Sequence, residues 1–375
     1  MLGLVLGVNL KIGMVTVHKA NNYGAVLQAY ALQQCLAQYG EVEIIDYDNR
    51  YIGRTLWPLR WIGGARSFLS IAKDLVRLAP RVRLLAKFNC FIRTRYRLSA
   101  KYSQSALMAR ACSKYNCYVV GSDQVWNSNC VSLDGALDPI YFLGFAPQDA
   151  IKISYASSLG GYKFTEQEIP KVHSYLQRFN AVSVREQDSQ QYLSDLGISH
   201  VQHVLDPTLL LGTEQWRELV EPSLVPTSKY ILVYSVPRTS LLRQAVDYFA
   251  AKKGLKVISI DQDVCSVARV DKQIRDAGPL DFLALFSGAE FVLTDSFHGV
   301  CFSIIFGCPF VAVSPGTHSN RVESLLKVLG LESQFVSEPA DFERVSQVLD
   351  FDQAYARLAS ERARCFGFLD KALAG

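Results

Sequence analysis

Long hydrophobic runs are missing from this sequence: no stretch approaches the ~20 uninterrupted apolar residues of a membrane span, so any membrane contact is expected to be peripheral. A cysteine framework is missing too. The 9 cysteines (Cys35, Cys90, Cys112, Cys117, Cys130, Cys265, Cys301, Cys308, Cys365) form no paired pattern and no CxxC zinc spacing, which argues against a disulfide scaffold and a zinc cluster and fits a reducing cytoplasm. No repeat or low-complexity tract is present, so the chain reads as ordinary globular units. The apolar start, Met1 to Val17, lacks a basic n-region and a small-residue cleavage site, and is expected to be a short leader before a strand at Lys11 to Val17.

Acid is almost absent from one region. Between Tyr51 and Lys114 stand 14 Lys/Arg against the single acid Asp74, 14 − 1 = +13, so the rest of a +4 chain carries 4 − 13 = −9. Trp57, Trp61, Phe68, Phe88, Phe91 and Tyr96 lie among these cations at helical spacing. Two readings stay open: a helical segment lying on an anionic bilayer surface, or a solvated helical cap on the first sheet. No recognition motif accompanies the charge, so nucleic-acid binding is not expected.

What is present is a repeated strand–loop–helix grammar. With 375 residues, 49% of them hydrophobic, the chain is long enough for two cores. Strands are expected at Lys11–Val17, Val42–Asp46, Cys117–Val120, Lys152–Ala156, Ala181–Val184 and His203–Leu205, and a helix at Ala25–Gln38. The pattern restarts at Tyr230–Val236, with strands at Leu255–Ile260 and Glu290–Thr294 and helices at Ser240–Lys252 and Leu280–Ser287. Strands alternating with helices imply mostly parallel sheets. The expected domains are 1–225, Rossmann-like with a basic helical insertion at 51–114; 226–350, also Rossmann-like; and a C-terminal helix in 351–375.

Ligands of such sheets bind beyond the carboxyl ends of strands, so the loops there are the candidates. Asp295-Ser296-Phe297-His298-Gly299 sits between a strand and an apolar helix, which is how an anion site is built; His298 adds a group that titrates near neutrality, or is structural. Gly121-Ser122-Asp123-Gln124-Val125-Trp126-Asn127 offers Asp123 and Gln124 for sugar hydroxyls and Trp126 as a stacking face, or is a capped turn. Arg185 could grip a carboxylate or phosphate, or pair with Glu186 or a neighbour; Arg321 stands at the end of another strand-like run.

Taken in order, Asn22-Tyr23-Gly24 with Leu27-Gln28, the Gly121–Asn127 loop, Ser154-Tyr155-Ala156-Ser157-Ser158-Leu159-Gly160, Ser183-Val184-Arg185-Glu186 and Thr294-Asp295-Ser296-Phe297-His298-Gly299 resemble the motifs of polysaccharide pyruvyl transferases. That resemblance implies an α/β, GT-B-like fold: two Rossmann-type domains with parallel sheets facing across a cleft. It implies phosphoenolpyruvate as donor substrate, a sugar hydroxyl pair of a cell-surface polysaccharide as acceptor, ketal formation, and no cofactor or metal. It places Arg185 and His298 on the donor. Ser296 stands where family members often carry arginine, and Arg321 is the residue expected to replace that charge. The resulting expectation assigns catalysis to His298, Asp295 and Asp123; donor binding to Arg185, Ser296, Gly299 and Arg321; and acceptor binding to Asn22, Tyr23, Gln124 and Trp126. The acceptor is expected to include lipid-linked oligosaccharide, met by a cytoplasmic enzyme at the inner face of the membrane. The competing readings are a GT-B glycosyltransferase, with Asp261 and Asp263 holding a nucleotide ribose, and a non-catalytic glycan-binding member.

Overall fold

The computed structural model describes residues 10–59, 78–109, 112–316, 319–345 and 349–374. Its strands are β1 Leu10–Val15, β2 Gly40–Tyr47, β3 Leu98–Tyr102, β4 Cys117–Val120, β5 Ile151–Ser157, β6 Ala181–Val184, β7 Val201–His203, β8 Tyr230–Tyr234, β9 Lys256–Ile260, β10 Lys272–Ile274, β11 Phe291–Thr294, β12 Phe310–Val313 and β13 Phe335–Val336. The helices of eight or more described residues are α1 Tyr23–Leu36, α2 Leu78–Arg95, α3 Ile169–Leu176, α4 Gln187–Asp195, α5 Ser240–Lys253, α6 Pro279–Ser287, α7 Phe297–Phe306, α8 Asn320–Leu329 and α9 Phe351–Leu373.

The chain forms two compact units, one of residues 1–55, 94–210 and 360–375, the other of 56–93 and 211–359. In the first, all strands pair in parallel in the order β3-β2-β1-β4-β5-β6-β7. Every residue of β4 (CYVV) is buried, the mark of a strand covered on both faces. In the second unit the order is β10-β9-β8-β11-β12-β13, again all parallel. Its central strands YILVY and FVLT are likewise buried throughout, and so is the whole of α7, FHGVCFSIIF. The two parallel-sheet α/β domains read from the sequence are therefore present.

The basic segment is built differently from either expectation. Its residues 60–77, with Trp61 and Phe68, and residues 110–111 lie outside the described residues, as does the leader 1–9. Leu98–Tyr102 is not helix but the outermost strand of the first sheet. Most of α2 belongs to the second unit rather than capping the first sheet, and it buries Leu84, Leu85, Phe88, Phe91 and Ile92. Phe88 and Phe91 are core residues and Tyr96 is buried, its hydroxyl donating to the Val26 carbonyl at 2.7 Å, so these rings are not offered to a bilayer. Part of the positive charge is neutralised within the unit: Arg83 Nε lies 2.6 Å from Asp276 Oδ2 and Lys87 Nζ 3.0 Å from Asp281 Oδ2. The buried Arg81 donates through Nη2 to the Trp57 carbonyl at 2.7 Å and through Nε to that of Pro58 at 3.0 Å.

The units divide at Leu210/Leu211 rather than near residue 225, because the segment after β7 packs into the second unit. Trp216 is fully buried edge-on against Phe302 with centroids 5.0 Å apart, and Thr213 Oγ1 donates to the Ile305 carbonyl at 2.8 Å. Helix α9 is shared rather than separate. Tyr355 donates to the Ile304 carbonyl at 3.0 Å in the second unit, while Arg364 donates to the His203 carbonyl at 2.6 Å in the first.

Candidate active site

In the second unit the strand order reverses between β8 and β11, and the loops after these strands form the crevice where open α/β sheets bind ligands. Asp295 ties them together. Its carboxylate accepts from Ser235 Oγ at 2.7 Å, Val236 N at 2.9 Å and Thr239 N at 3.4 Å. The side chain is buried, and burial pushes its pKa up even though these hydrogen bonds pull it down. Asp295 thus holds the two loops, and the catalytic role expected for it gives way to a positioning one.

Ser296 caps α7 by position only, its side chain making no capping hydrogen bond and pairing instead with Tyr234; its N–H donates to Thr294 Oγ1 at 3.1 Å. Gly299 has to be glycine: a Cβ there would stand 2.2 Å from Thr294 Oγ1. His298 lies in the first turn of α7, 8% exposed, its ring edge-on to Phe297 at 5.2 Å. The guanidinium of Arg321, from the first turn of α8, sits over the same Phe297 ring at 6.0 Å. A histidine, an arginine and the amino end of a ten-residue helix with no acid in its first turn therefore meet around one aromatic ring, an arrangement suited to an anion.

Asp261 and Asp263 do not offer a ribose site. Both Asp261 oxygens are held by Arg238 Nη1, at 2.6 and 2.7 Å, and they also accept from Asp263 N at 3.0 Å and Val267 N at 3.1 Å; Asp263 pairs with the same arginine at 3.1 Å.

In the first unit the order reverses between β1 and β4. Thr16 Oγ1 donates to the Ser122 carbonyl at 3.2 Å and joins the two loops there. Gly121 is at φ +113°, and a Cβ would stand 2.1 Å from the Tyr155 carbonyl, so only glycine lets the loop leave β4 this way. Asn22 caps α1 by accepting from Ala25 N at 3.2 Å and is exposed at the loop; Tyr23 is buried. The Gln124 amide oxygen accepts from Asn127 Nδ2 at 2.9 Å.

Two expectations fail here. Trp126 is wholly buried, its Nε1 donating to the Tyr141 carbonyl at 2.9 Å and its ring stacked on Phe142 with centroids 5.7 Å apart; it is a core anchor, not a face for a sugar. Arg185 is an ion-pair residue. Its guanidinium, with the side chain 1% exposed, lies 2.8 Å from Asp206, 3.4 Å from Glu186 and 3.5 Å from Asp123. Burial works against its charge, but the carboxylates outweigh burial and raise its pKa further. Three carboxylates within 3.5 Å thus hold this guanidinium inside the fold.

Sequence reasoning passed over a second polar cluster at this end of the sheet. His18 Nδ1 pairs with the Thr16 carbonyl at 3.1 Å and Nε2 with Asp46 Oδ1 at 3.3 Å, while Lys19 Nζ holds both Asp46 oxygens at 2.6 Å. Burial pushes the Asp46 pKa up, yet the bonds from His18 and Lys19 prevail and bring it down to about 2. The signal was a His-Lys pair directly after a strand, read only as a turn.

A sequence model of the family described as polysaccharide pyruvyl transferase matches residues 22–317, most of the chain. The chain belongs to the polysaccharide pyruvyl transferase family. It is thus a member of a transferase family, and the match takes in the loops of both units except residues 16–21 after β1 and Arg321, which lie just outside it. None of the curated proteins matches the sequence. Among solved structures it is similar to a UDP-N-acetylglucosamine 2-epimerase from Rickettsia bellii (8% identity, 97% of each chain, TM-score 0.50). It is also similar to S. aureus MnaA with UDP (11%, 96% of each chain, TM-score 0.50) and to an alpha-glucosyltransferase bound to UDP and DNA (10%, 98% of this chain and 100% of that one, TM-score 0.50). These likenesses show the GT-B-like fold alone. Among the described residues no helix is long and apolar enough to cross a membrane.

Proposed function

We propose that the protein transfers the pyruvyl group of phosphoenolpyruvate to a pair of sugar hydroxyls, forming a ketal and releasing phosphate. The observation that carries this reading is the convergence of His298 and Arg321 on Phe297 at the amino end of α7, which supplies positive charge and a proton-transfer group for an anionic enol ester. Family membership supports the reaction class. Protonation of the donor's methylene carbon by His298 gives an oxocarbenium-like centre at C2, to which one sugar hydroxyl adds as its proton passes back to the His298 ring. Phosphate then leaves with the C–O bonding pair, and the second hydroxyl closes the ketal as its proton passes to a base. Arg321 and the amino end of α7 bind the donor's phosphate or carboxylate. In the first unit, Asp123 and Gln124 at the β1/β4 loops are assigned to acceptor hydroxyls, while Arg185 keeps Asp123 in place.

The test is phosphate release from phosphoenolpyruvate with a panel of galactosides, glucosides and mannosides, read together with product mass. Acceptor-dependent release with a ketal-linked pyruvyl on the product supports the proposal. His298→Gln is expected to lose about 10²–10⁴ in kcat with the fold intact, and Arg321→Ala to raise KM for the donor. Release unchanged in both variants would remove this cluster from the mechanism, and stabilisation by a nucleotide without release would overturn the reaction.

A further inference from the structure

The first unit contains a cavity of about 480 Å³ at the carboxyl ends of β2 and β3, lined by residues 47–51, 103–105 and 131–138. Its size falls within the ~300–1,000 Å³ of small-molecule sites. The segment that leaves β4 as Gly121–Asn127 runs on along the chain to form the cavity wall at Val131–Asp138. A second cavity of about 510 Å³ in the same unit lies at the amino ends of β6 and β7, away from the ends where such sheets bind ligands.

The floor is held rigidly. The buried Asp138 carboxylate accepts from Tyr47 Oη at 2.7 Å, Ile140 N at 3.0 Å and Gln104 Nε2 at 3.3 Å, and Asn49 donates to the Val131 carbonyl at 2.8 Å. Above it stand Asp48, Asp134, the Ser103 and Ser105 hydroxyls 2.9 Å apart, the half-buried ring of Tyr51, and Leu133, which is 72% exposed. Three carboxylates line the cavity, but Lys101 Nζ lies 3.1 Å and Arg50 Nε 4.0 Å from Asp48 Oδ2, and the Arg54 guanidinium sits over the Tyr51 ring, so the charges of the two signs are balanced there. Neither an anion nor a cation is favoured over a neutral ligand. Carboxylates and amide oxygens accept from hydroxyls, serines serve as donors or acceptors, and the exposed Leu133 beside Tyr51, one ring face of which lies under the Arg54 guanidinium at 4.0 Å, supplies apolar surface for C–H bonds; together they fit a neutral, hydroxyl-rich ring.

We infer that this cavity is a subsite for a neutral sugar unit of the acceptor, adjoining the loops that hold the unit to be modified. The inference rests on the proposed reading of the protein as a sugar-modifying transferase, but its test does not depend on turnover. Binding of neutral methyl glycosides and short neutral oligosaccharides to the full chain is measured by saturation-transfer NMR, beside a sugar phosphate, an amino sugar and calcium. At least one neutral glycoside is expected to bind, with protons of its ring receiving saturation, and about tenfold more weakly in Asp134→Ala and in Tyr51→Ala. Circular dichroism checks that both variants are folded. Where an acceptor supports turnover, Asp134→Ala is expected to raise KM for that acceptor while leaving KM for phosphoenolpyruvate unchanged. Equal glycoside binding by wild type and variants, no binding by any neutral glycoside, or preference for calcium or the amino sugar overturns the subsite. Glycoside binding that depends on Asp134 and Tyr51 without any phosphate release leaves the subsite standing and sinks the reaction instead.

Discussion

Replacing Arg185 with alanine discriminates sharply between its two roles. In the structure this residue lies among Asp206, Glu186 and Asp123, at 2.8, 3.4 and 3.5 Å, with side-chain exposures of 0%, 4% and 15% for the three acids in that order. Removing the guanidinium that pairs with these buried carboxylates costs about 3–5 kcal/mol. For a unit of this size each kcal/mol shifts Tm by about 2–4 °C, so a loss on the order of 10 °C is expected by calorimetry or thermal circular dichroism. The pH dependence supplies a signature. Without the guanidinium the folded-state pKa values of these carboxylates rise above their unfolded values, so the folded variant binds more protons than the unfolded chain, and its stability falls as pH rises through that range. The deficit relative to wild type should therefore be smaller near pH 5 than near pH 7.5, and adding Asp206→Asn should recover part of it. An Arg185→Ala protein with unchanged Tm and a raised KM for phosphoenolpyruvate would refute this reasoning and return Arg185 to the donor.

Asp46 carries a pKa held at about 2 by His18 and Lys19 despite burial, below the ordinary aspartate range, so it contributes stability above about pH 4 that is lost as pH falls toward 2; Asp46→Asn should flatten the acid limb of the stability curve. Trp126→Ala should cost about 3–5 kcal/mol in chemical denaturation, as expected of a buried ring stacked on Phe142. Gly299→Ala should destabilise by about 1–3 kcal/mol, read by chemical denaturation, and depress kcat through the displaced first turn of α7, because its new methyl would stand 2.2 Å from Thr294 Oγ1.

The strands that could be read from the sequence are those buried on both faces. Cys117–Val120 and Ala181–Val184 fall where continuous apolar runs end in turn residues, and helix Phe351–Leu373 follows its amphipathic period. The strands that escaped notice, LSAKY, KQI and FV, are edge strands of five residues or fewer, and the first two hold no fully buried residue, so neither an apolar run nor a clean alternation marks them. Among site residues, the His298 loop was legible because a strand, a polar loop and an apolar helix follow one another directly in the chain. Arg185, Asp295 and Trp126 were misjudged for a common reason. Each is polar or aromatic at a strand end, and a ligand or a buried partner explains such a residue equally well until its neighbours are known.

By itself, then, the sequence determined two parallel α/β units, the order of their loops and the family to which those loops belong, because burial pattern and turn chemistry are local properties of the chain. Tertiary structure decided which charges are spent. Asp206 lies 21 residues from Arg185, Asp261 lies 23 from Arg238, and Asp276 lies 193 from Arg83. The free energy of an ionised side chain depends on such distant partners and on burial, neither of which is written in the residues beside it.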